Sequence, residues 1–346
     1  MTARKLVAYV GDINELFKLK KEKLLKIPGV GPQLADAILT SEAFKKADEE
    51  LVFIEKYKIK FTSIFDTDYP FRLKQCEDAP LVFFSKGAKL NEEAKFISIV
   101  GTRNASPYGK DFCNDFIVQL KERGHQVVVV SGLAYGIDIA AHKASLKNNI
   151  PTYGILAHGL DTIYPTQHRN IATKMLEQGG LITEFMHGIF PDKNNFVRRN
   201  RIIAGLSDAV IVVESDKKGG SLLTADMANS YNRDVFAVPG KITDKYSTGC
   251  NNLIKSNRAA LIQSVDDLEY VMGWEPNSKA IQKELFVELS DEEKILIDLF
   301  NEKSELNIDT ICRNSGFNMA KVSAMLLNLE FGGLIKCKPG KVFYKI

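Results

Sequence analysis

Between residues 97 and 240 the chain repeats one pattern of apolar and polar positions. A short apolar run is followed by a turn bearing Gly, Ser or Arg, and then by apolar residues at helical spacing. The first unit is Ile97–Val100 and then Gly101-Thr102-Arg103-Asn104-Ala105-Ser106-Pro107. The second is Val127–Val130 and then Ser131-Gly132-Leu133-Ala134-Tyr135-Gly136-Ile137-Asp138. Further buried strands are expected at Ala209–Val213 and Val235–Val238. Strand–turn–helix repetition predicts an α/β fold, a doubly wound and mainly parallel sheet with helices on both faces. The turns then lie at the carboxyl ends of the strands, where open α/β sheets bind ligands.

The flanking regions read differently. Residues 1–60 are helical and Lys-rich, and Leu24–Ile38 has the form of a helix-hairpin-helix of the SAM-like kind. Gly29, Val30 and Gly31 make the hairpin, with the glycines admitting a tight turn and Pro32 opening the next helix. Amides of such a hairpin bind a DNA phosphate, and a purely structural helical module is the other reading. Residues 61–95 read as a lead-in with a turn and a short strand, so the α/β domain spans 61–274 with that segment included. A polar linker is expected over 275–285. Residues 286–346 read as three helices and a strand–turn–strand ending in Pro339-Gly340 and Val342–Tyr344, a winged-helix pattern. Ser290 and Glu293 form a capping box at its start. Its third helix carries few cations, so DNA contact and protein docking both remain open for it.

Composition adds bounds. The 346 residues suffice for two or three cores. No apolar run reaches the ~18–20 residues of a membrane span, and Met1–Val10 lacks a signal-peptide core, so the expected compartment is the cytoplasm, with no membrane partner. Five scattered cysteines without a CxxC pair argue against a zinc site or a disulfide framework. The net charge of +3 is too small to indicate a polyanion ligand by itself. Any such ligand needs a local basic patch.

That patch is readable. Arg103 lies in the first turn beside Gly101 and Thr102, and Ser106-Pro107 is an N-cap followed by an N1 proline. The helix start predicted there offers amides and a positive dipole end to an anion. Ser131 and Gly132 give the second turn the same small, permissive character. Asp138 and His142 are four apart on one helical face and are read as structural. Tyr164, in Gly159–Pro165, is a candidate for stacking on a base, with Arg169 shortly after. Arg198, Arg199 and Arg201 precede a buried strand, and one or two of them are expected at the ligand edge. Lys217, Lys218, Gly220 and Ser221 follow that strand, and Lys241 follows the next. The set says phosphate. It does not say dinucleotide, because GxGxxG and GxxxxGK[ST] are both absent. No catalytic residue, metal ligand or cofactor is assigned.

Gly101-Thr102-Arg103, Ser131–Asp138, Gly159–Pro165, Arg199–Ser207 and Val238-Pro239-Gly240, in this order, resemble the DNA-processing protein A family (DprA/Smf). The resemblance covers the whole α/β region and suits both flanking domains. It implies a Rossmann-like, non-catalytic bacterial protein that binds single-stranded DNA entering by natural transformation and protects it. It also implies a homodimer that helps load the RecA recombinase onto DNA coated by single-strand-binding protein, with Arg103 as a main phosphate contact. This chain departs from the family at Gly219-Gly220-Ser221-Leu222, where Ser-Gly-Ser-Leu is common, at Thr166-Gln167, where some members carry a basic residue, and at Asn257-Arg258, which replaces Gly-Ala. Two other classes of reading stand beside this one. One is a nucleotide-processing enzyme on a related fold, using Asp138, Asp161, Glu184 or Glu214, although the PGGxGTxxE pattern is absent. The other is a pure adaptor.

Overall fold

Two strands precede the repeating units, β1 (Lys60–Ser63) and β2 (Val82–Gly87). The units supply β3 (Lys95–Val100), β4 (Val127–Ser131), β5 (Thr152–Ile155), β6 (Gly180–Thr183), β7 (Ala209–Val212), β8 (Asp234–Ala237) and β9 (Ala260–Leu261). In this computed structural model, which describes residues 2–40, 42–276, 290–302, 305–331, 334–338 and 341–345, all nine form one sheet. Its order is β1-β2-β6-β5-β4-β3-β7-β8-β9. Strands β3 to β9 run parallel, as the repetition predicts. The lead-in is not separate from this sheet. β2 pairs antiparallel with β6, and β1 with β2, so the segment extends the sheet by two strands.

The apolar runs are uninterrupted because both faces are covered. Val128 and Val130 face one core with Val210, Val212, Ile202, Ile203 and Ala225. Val127 and Val129 face the other with Ile97, Ile99, Phe116, Ile117 and Ala141. Helices Lys193–Gly205 and Gly220–Ser230 therefore cover one face, and Pro107–Glu122 and Ile137–Lys147 the other. Burying a side chain such as Phe96 or Phe116 completely stabilises the fold by roughly 1.5–3 kcal/mol. Ser98, in the middle of β3, bonds to Ile203 O (2.9 Å) and to Ser207 Oγ (2.5 Å). This small polar residue lets helix Lys193–Gly205 sit close to the sheet.

The chain forms two units, residues 1–278 and 279–346. In the first, the N-terminal helices pack around Leu24, Ile27, Val30 and Ala35. Helix Glu42–Tyr57 joins them to the loop that follows β6: buried Glu50 accepts the His187 amide (3.0 Å) and faces its Nδ1 (2.5 Å), while Phe53 stacks on the His187 ring. The second unit has helices Asp291–Glu302, Ile308–Ser315 and Met319–Phe331 and the sheet β10 (Glu305–Asn307)–β12 (Val342–Lys345)–β11 (Ile335–Lys338). Ser290 and Glu293 bond reciprocally in the expected capping box. Residues 277–285 of the expected linker and the Pro339-Gly340 turn lie outside the described residues.

Candidate nucleic-acid interface

β3 lies between β4 and β7: from it the parallel sheet grows one way through β4, β5 and β6 and then the other way through β7, β8 and β9. The loops leaving β3 and β7 therefore diverge to opposite faces and open a crevice at the carboxyl edge, the usual ligand position in such sheets. The crevice encloses about 390 Å³. Gly101, Thr102 and Arg103 form one wall, Phe196 and Arg199 another, and Gly220 and Ser221 a third. A smaller neighbouring cavity of about 60 Å³ shares Arg103, Phe196 and Arg199 and adds Tyr164.

The Gly101–Pro107 turn is built largely from inside the protein. A Cβ on Gly101 would meet Ile137 at 2.5 Å, so this glycine admits a helix rather than a ligand. Ser106 caps helix Pro107–Glu122, its Oγ accepting the Gly109 amide (3.2 Å). The anion at this helix start is already supplied: buried Glu214 accepts from the Ser106 amide (2.9 Å) and hydroxyl (2.5 Å). The expected phosphate site at Ser106-Pro107 is thus occupied by the protein's own carboxylate. The next helix start is filled as well, because the Ile137 amide donates to Thr102 O (3.2 Å). The start of helix Gly220–Ser230 is different. It has no side-chain cap and no acid in its first turn, and Gly220 faces open space in the crevice. Its dipole end and the amides ahead of Leu222, whose own amide donates to Gly219 O (3.1 Å), are left for an external anion.

Ser131 and Gly132 are buried, which corrects their reading as ligand contacts. The Ser131 hydroxyl donates to Ile99 O (2.6 Å). A Cβ on Gly132 would collide with the Asp138 carboxylate and the Arg199 guanidinium, which meet there. Burial raises the Asp138 carboxyl above its usual range despite the facing Arg199, and burial brings Arg199 down to about 10. The guanidinium still carries its charge at neutral pH, bonds to Ile155 O, and places a fixed cation beneath the crevice.

His142 is tied to the same turn, with Nε2 2.5 Å from Gly132 O and Nδ1 2.7 Å from Thr152 Oγ1. Burial pushes its imidazole down from 6.5 to about 4. Between those values the unfolded chain takes up a proton that the fold excludes, so stability falls as pH falls. The loss should reach about 3 kcal/mol, and buried His158, also shifted down by burial, adds in the same direction. Urea midpoints measured from pH 7 to 4 should show this decline. His142→Gln should flatten it, and an unchanged slope would contradict the assignment.

Phe196 is the centre of the exposed part. The Arg103 guanidinium lies 5.3 Å from its ring, Arg199 5.8 Å and the Tyr164 ring 5.9 Å. Tyr164 is 46% exposed. Two aromatic faces and two guanidinium groups thus converge beside a free helix start, a combination that offers stacking to bases and charge to phosphates.

The model of the DNA recombination-mediator protein A family matches residues 60–272, and the DprA winged helix domain model matches 287–341. The chain belongs to the DNA recombination-mediator protein A family. The DNA processing protein DprA of Bacillus subtilis (strain 168) is 39% identical over 241 residues, covering 68% of this chain and 80% of that protein. The X-ray structure of DNA processing protein A from Streptococcus pneumoniae matches with a TM-score of 0.67 at 34% identity, over 78% of this chain and 91% of that one. The DNA processing protein A of Helicobacter pylori, solved for its single-stranded DNA binding mode, matches with a TM-score of 0.55 at 27% identity, over 62% of this chain and 95% of that one. The Rossmann-like sheet and the C-terminal winged helix are those of DNA-processing proteins.

In this family member the predicted basic residues do not all gather. Arg103 and Arg199 line the crevice. Arg198 and Arg201 turn away: both reach Glu184 Oε2 (3.2 and 2.5 Å), and Arg201 also bonds to Asp78 O. They sit three apart on one helical face, and Arg199 lies a third of a turn round from Arg198. Lys217, Lys218 and Lys241 are exposed on loops after β7 and β8, and Arg169 is exposed at the start of helix Arg169–Gln178. None of these four lines the crevice. Ser221 is buried and bonds to Ser215 Oγ (3.0 Å). Lys193 and Phe196 do line it and were not singled out by sequence; both stand before Arg199 on the same helix. In the helix-hairpin-helix, Gly29 has φ +88° and needs to be glycine. Gly31 has φ −91° with open space at its Cβ position, so its conformation does not. The Val30 amide is spent on Ile27 O (3.0 Å). Asn257, which replaces a family glycine, adopts φ +53°.

Proposed function

We propose that this protein is a single-stranded-DNA-binding recombination mediator that protects incoming DNA and loads the RecA recombinase during natural transformation. In this reading it works in the cytoplasm as a homodimer on DNA coated by single-strand-binding protein. The observation that carries the reading is the cluster of Arg103, Phe196, Tyr164 and Arg199 beside the uncapped helix start at Gly220. Arg103 and the Gly220 amide region take phosphates, and Phe196 and Tyr164 take base faces. A duplex hides its base faces by stacking, so this cluster favours single strands. Family membership and the Helicobacter pylori relative support the same substrate.

The nucleotide-processing alternative gains nothing from the geometry. Glu214 is held by Ser106, Asp138 faces Arg199, Glu184 Oε2 receives two arginines and Asp161 accepts the Gly188 amide (3.1 Å).

Fluorescence anisotropy with a labelled single strand and its duplex tests the reading. The single strand should bind more tightly at every salt concentration. Phe196→Ala should weaken it by about 5- to 150-fold, the worth of ~1–3 kcal/mol of stacking, and an abasic strand should not sense the substitution. Equal affinity for duplex, or indifference to Phe196, would count against the reading.

A further inference from the structure

Arg103 also opens a second concavity, which is outside the crevice and larger. It encloses about 580 Å³ and runs between helices Pro107–Glu122 and Ile137–Lys147. Lys110 lines it from the first helix, and Lys143 and Lys147 from the second. Lys143 and Lys147 are four apart and so share one helical face. No carboxylate lines the groove among the described residues. None of the three lysines is ion-paired among those residues either. Asp111 and Asp115, on the same helix as Lys110, do not line it. The floor is Ile139, Ala140 and Ala144, all apolar. At the junction with Arg103 stands Tyr135, 43% exposed, its hydroxyl on Gln167 Oε1 (2.8 Å) and its ring edge-on to buried His168.

We propose that this groove carries the continuation of the single strand, which passes from the crevice over Arg103 and Tyr135 onto the two helices. This rests on the single-strand reading of the crevice. Cations on the rims match phosphates, the apolar floor and the fixed Tyr135 ring match exposed bases, and Arg103 belongs to both concavities, so the path is continuous. A duplex has phosphates for the rims but no free bases for the floor.

The test uses the full chain carrying Lys110→Ala, Lys143→Ala and Lys147→Ala together, all at exposed positions, with Arg103→Ala as a companion. Oligothymidylates of about 6 and about 20 nucleotides, bracketing the site sizes usual for single-strand binders, are titrated by anisotropy from ~50 to ~200 mM salt. The triple variant should lose about tenfold or more on the long strand, with its salt slope reduced by about 2, as three lost phosphate contacts imply. The short strand should bind it as it binds the wild type. Unchanged long-strand affinity and slope, while Arg103→Ala still weakens binding, would remove the groove from the path. An equal loss on both strands would also overturn the proposal, marking a diffuse field rather than a track. If Arg103→Ala changes neither strand, the reading of the crevice itself fails.

Discussion

Arg103→Ala should lower affinity for single-stranded DNA by about 10- to 150-fold at moderate salt, the worth of a charge-assisted bidentate contact at ~1.5–3 kcal/mol. The side chain is exposed, lines the crevice, the small cavity and the groove, and lies 5.3 Å from the Phe196 ring. No ion pair with a described residue holds it, so its removal leaves the fold intact. Arg103→Lys restores the charge but not the planar fork, and should recover only part of the loss. Anisotropy titrations and a thermal melt on the three proteins check this. Wild-type affinity in Arg103→Ala would contradict the site, and a lowered melting temperature would contradict its exposure.

Gly136→Ala should destabilise the α/β unit by about 2–5 kcal/mol and weaken DNA binding with it. Gly136 has φ +79°, a conformation that L residues rarely adopt. A Cβ there would strike Thr102 O and would lie 2.6 Å from the Arg103 carbonyl carbon. These are backbone atoms, so no side chain can rotate away. The strain falls on the loop that presents Arg103, and the same contact carries the Ile137 amide to Thr102 O. Urea denaturation should show a lower midpoint, and affinity should fall under conditions where the variant is still folded. A stable variant with normal affinity would show that this loop tolerates displacement.

The parallel sheet was legible because the units of β3, β4, β7 and β8 announce themselves locally, each an apolar run followed by a turn, whereas β5 and β6, short and each carrying a glycine, were not singled out. The lead-in's short strand was read and is β2, but the pairing of β1 and β2 into this sheet was not, because it depends on β6, about a hundred residues later. Burial along β1 covers little of the strand, as expected at a sheet edge, so it has no strong apolar signature. The site followed the same division. Arg103 and the Ser106 cap are local features and were read correctly as a turn cation and a helix start. That Glu214 fills that helix start is a contact across 108 residues. Arg198 and Arg201 looked like ligand cations because Glu184, which takes them, stands on a different element. Phe196 was not singled out. Its role comes from the loops of two other strands, which bring Arg103 and Tyr164 to its ring.

The central claim is that the strand lies across the crevice between the loops leaving β3 and β7. Photo-crosslinking of a single strand containing 4-thiothymidine, followed by mass spectrometry of the digest, tests it most directly. Adducts should fall on the peptides carrying Tyr164 and Phe196 and should disappear in Arg103→Ala. Adducts confined to the helix-hairpin-helix or the winged helix would contradict the account and move the DNA off the sheet.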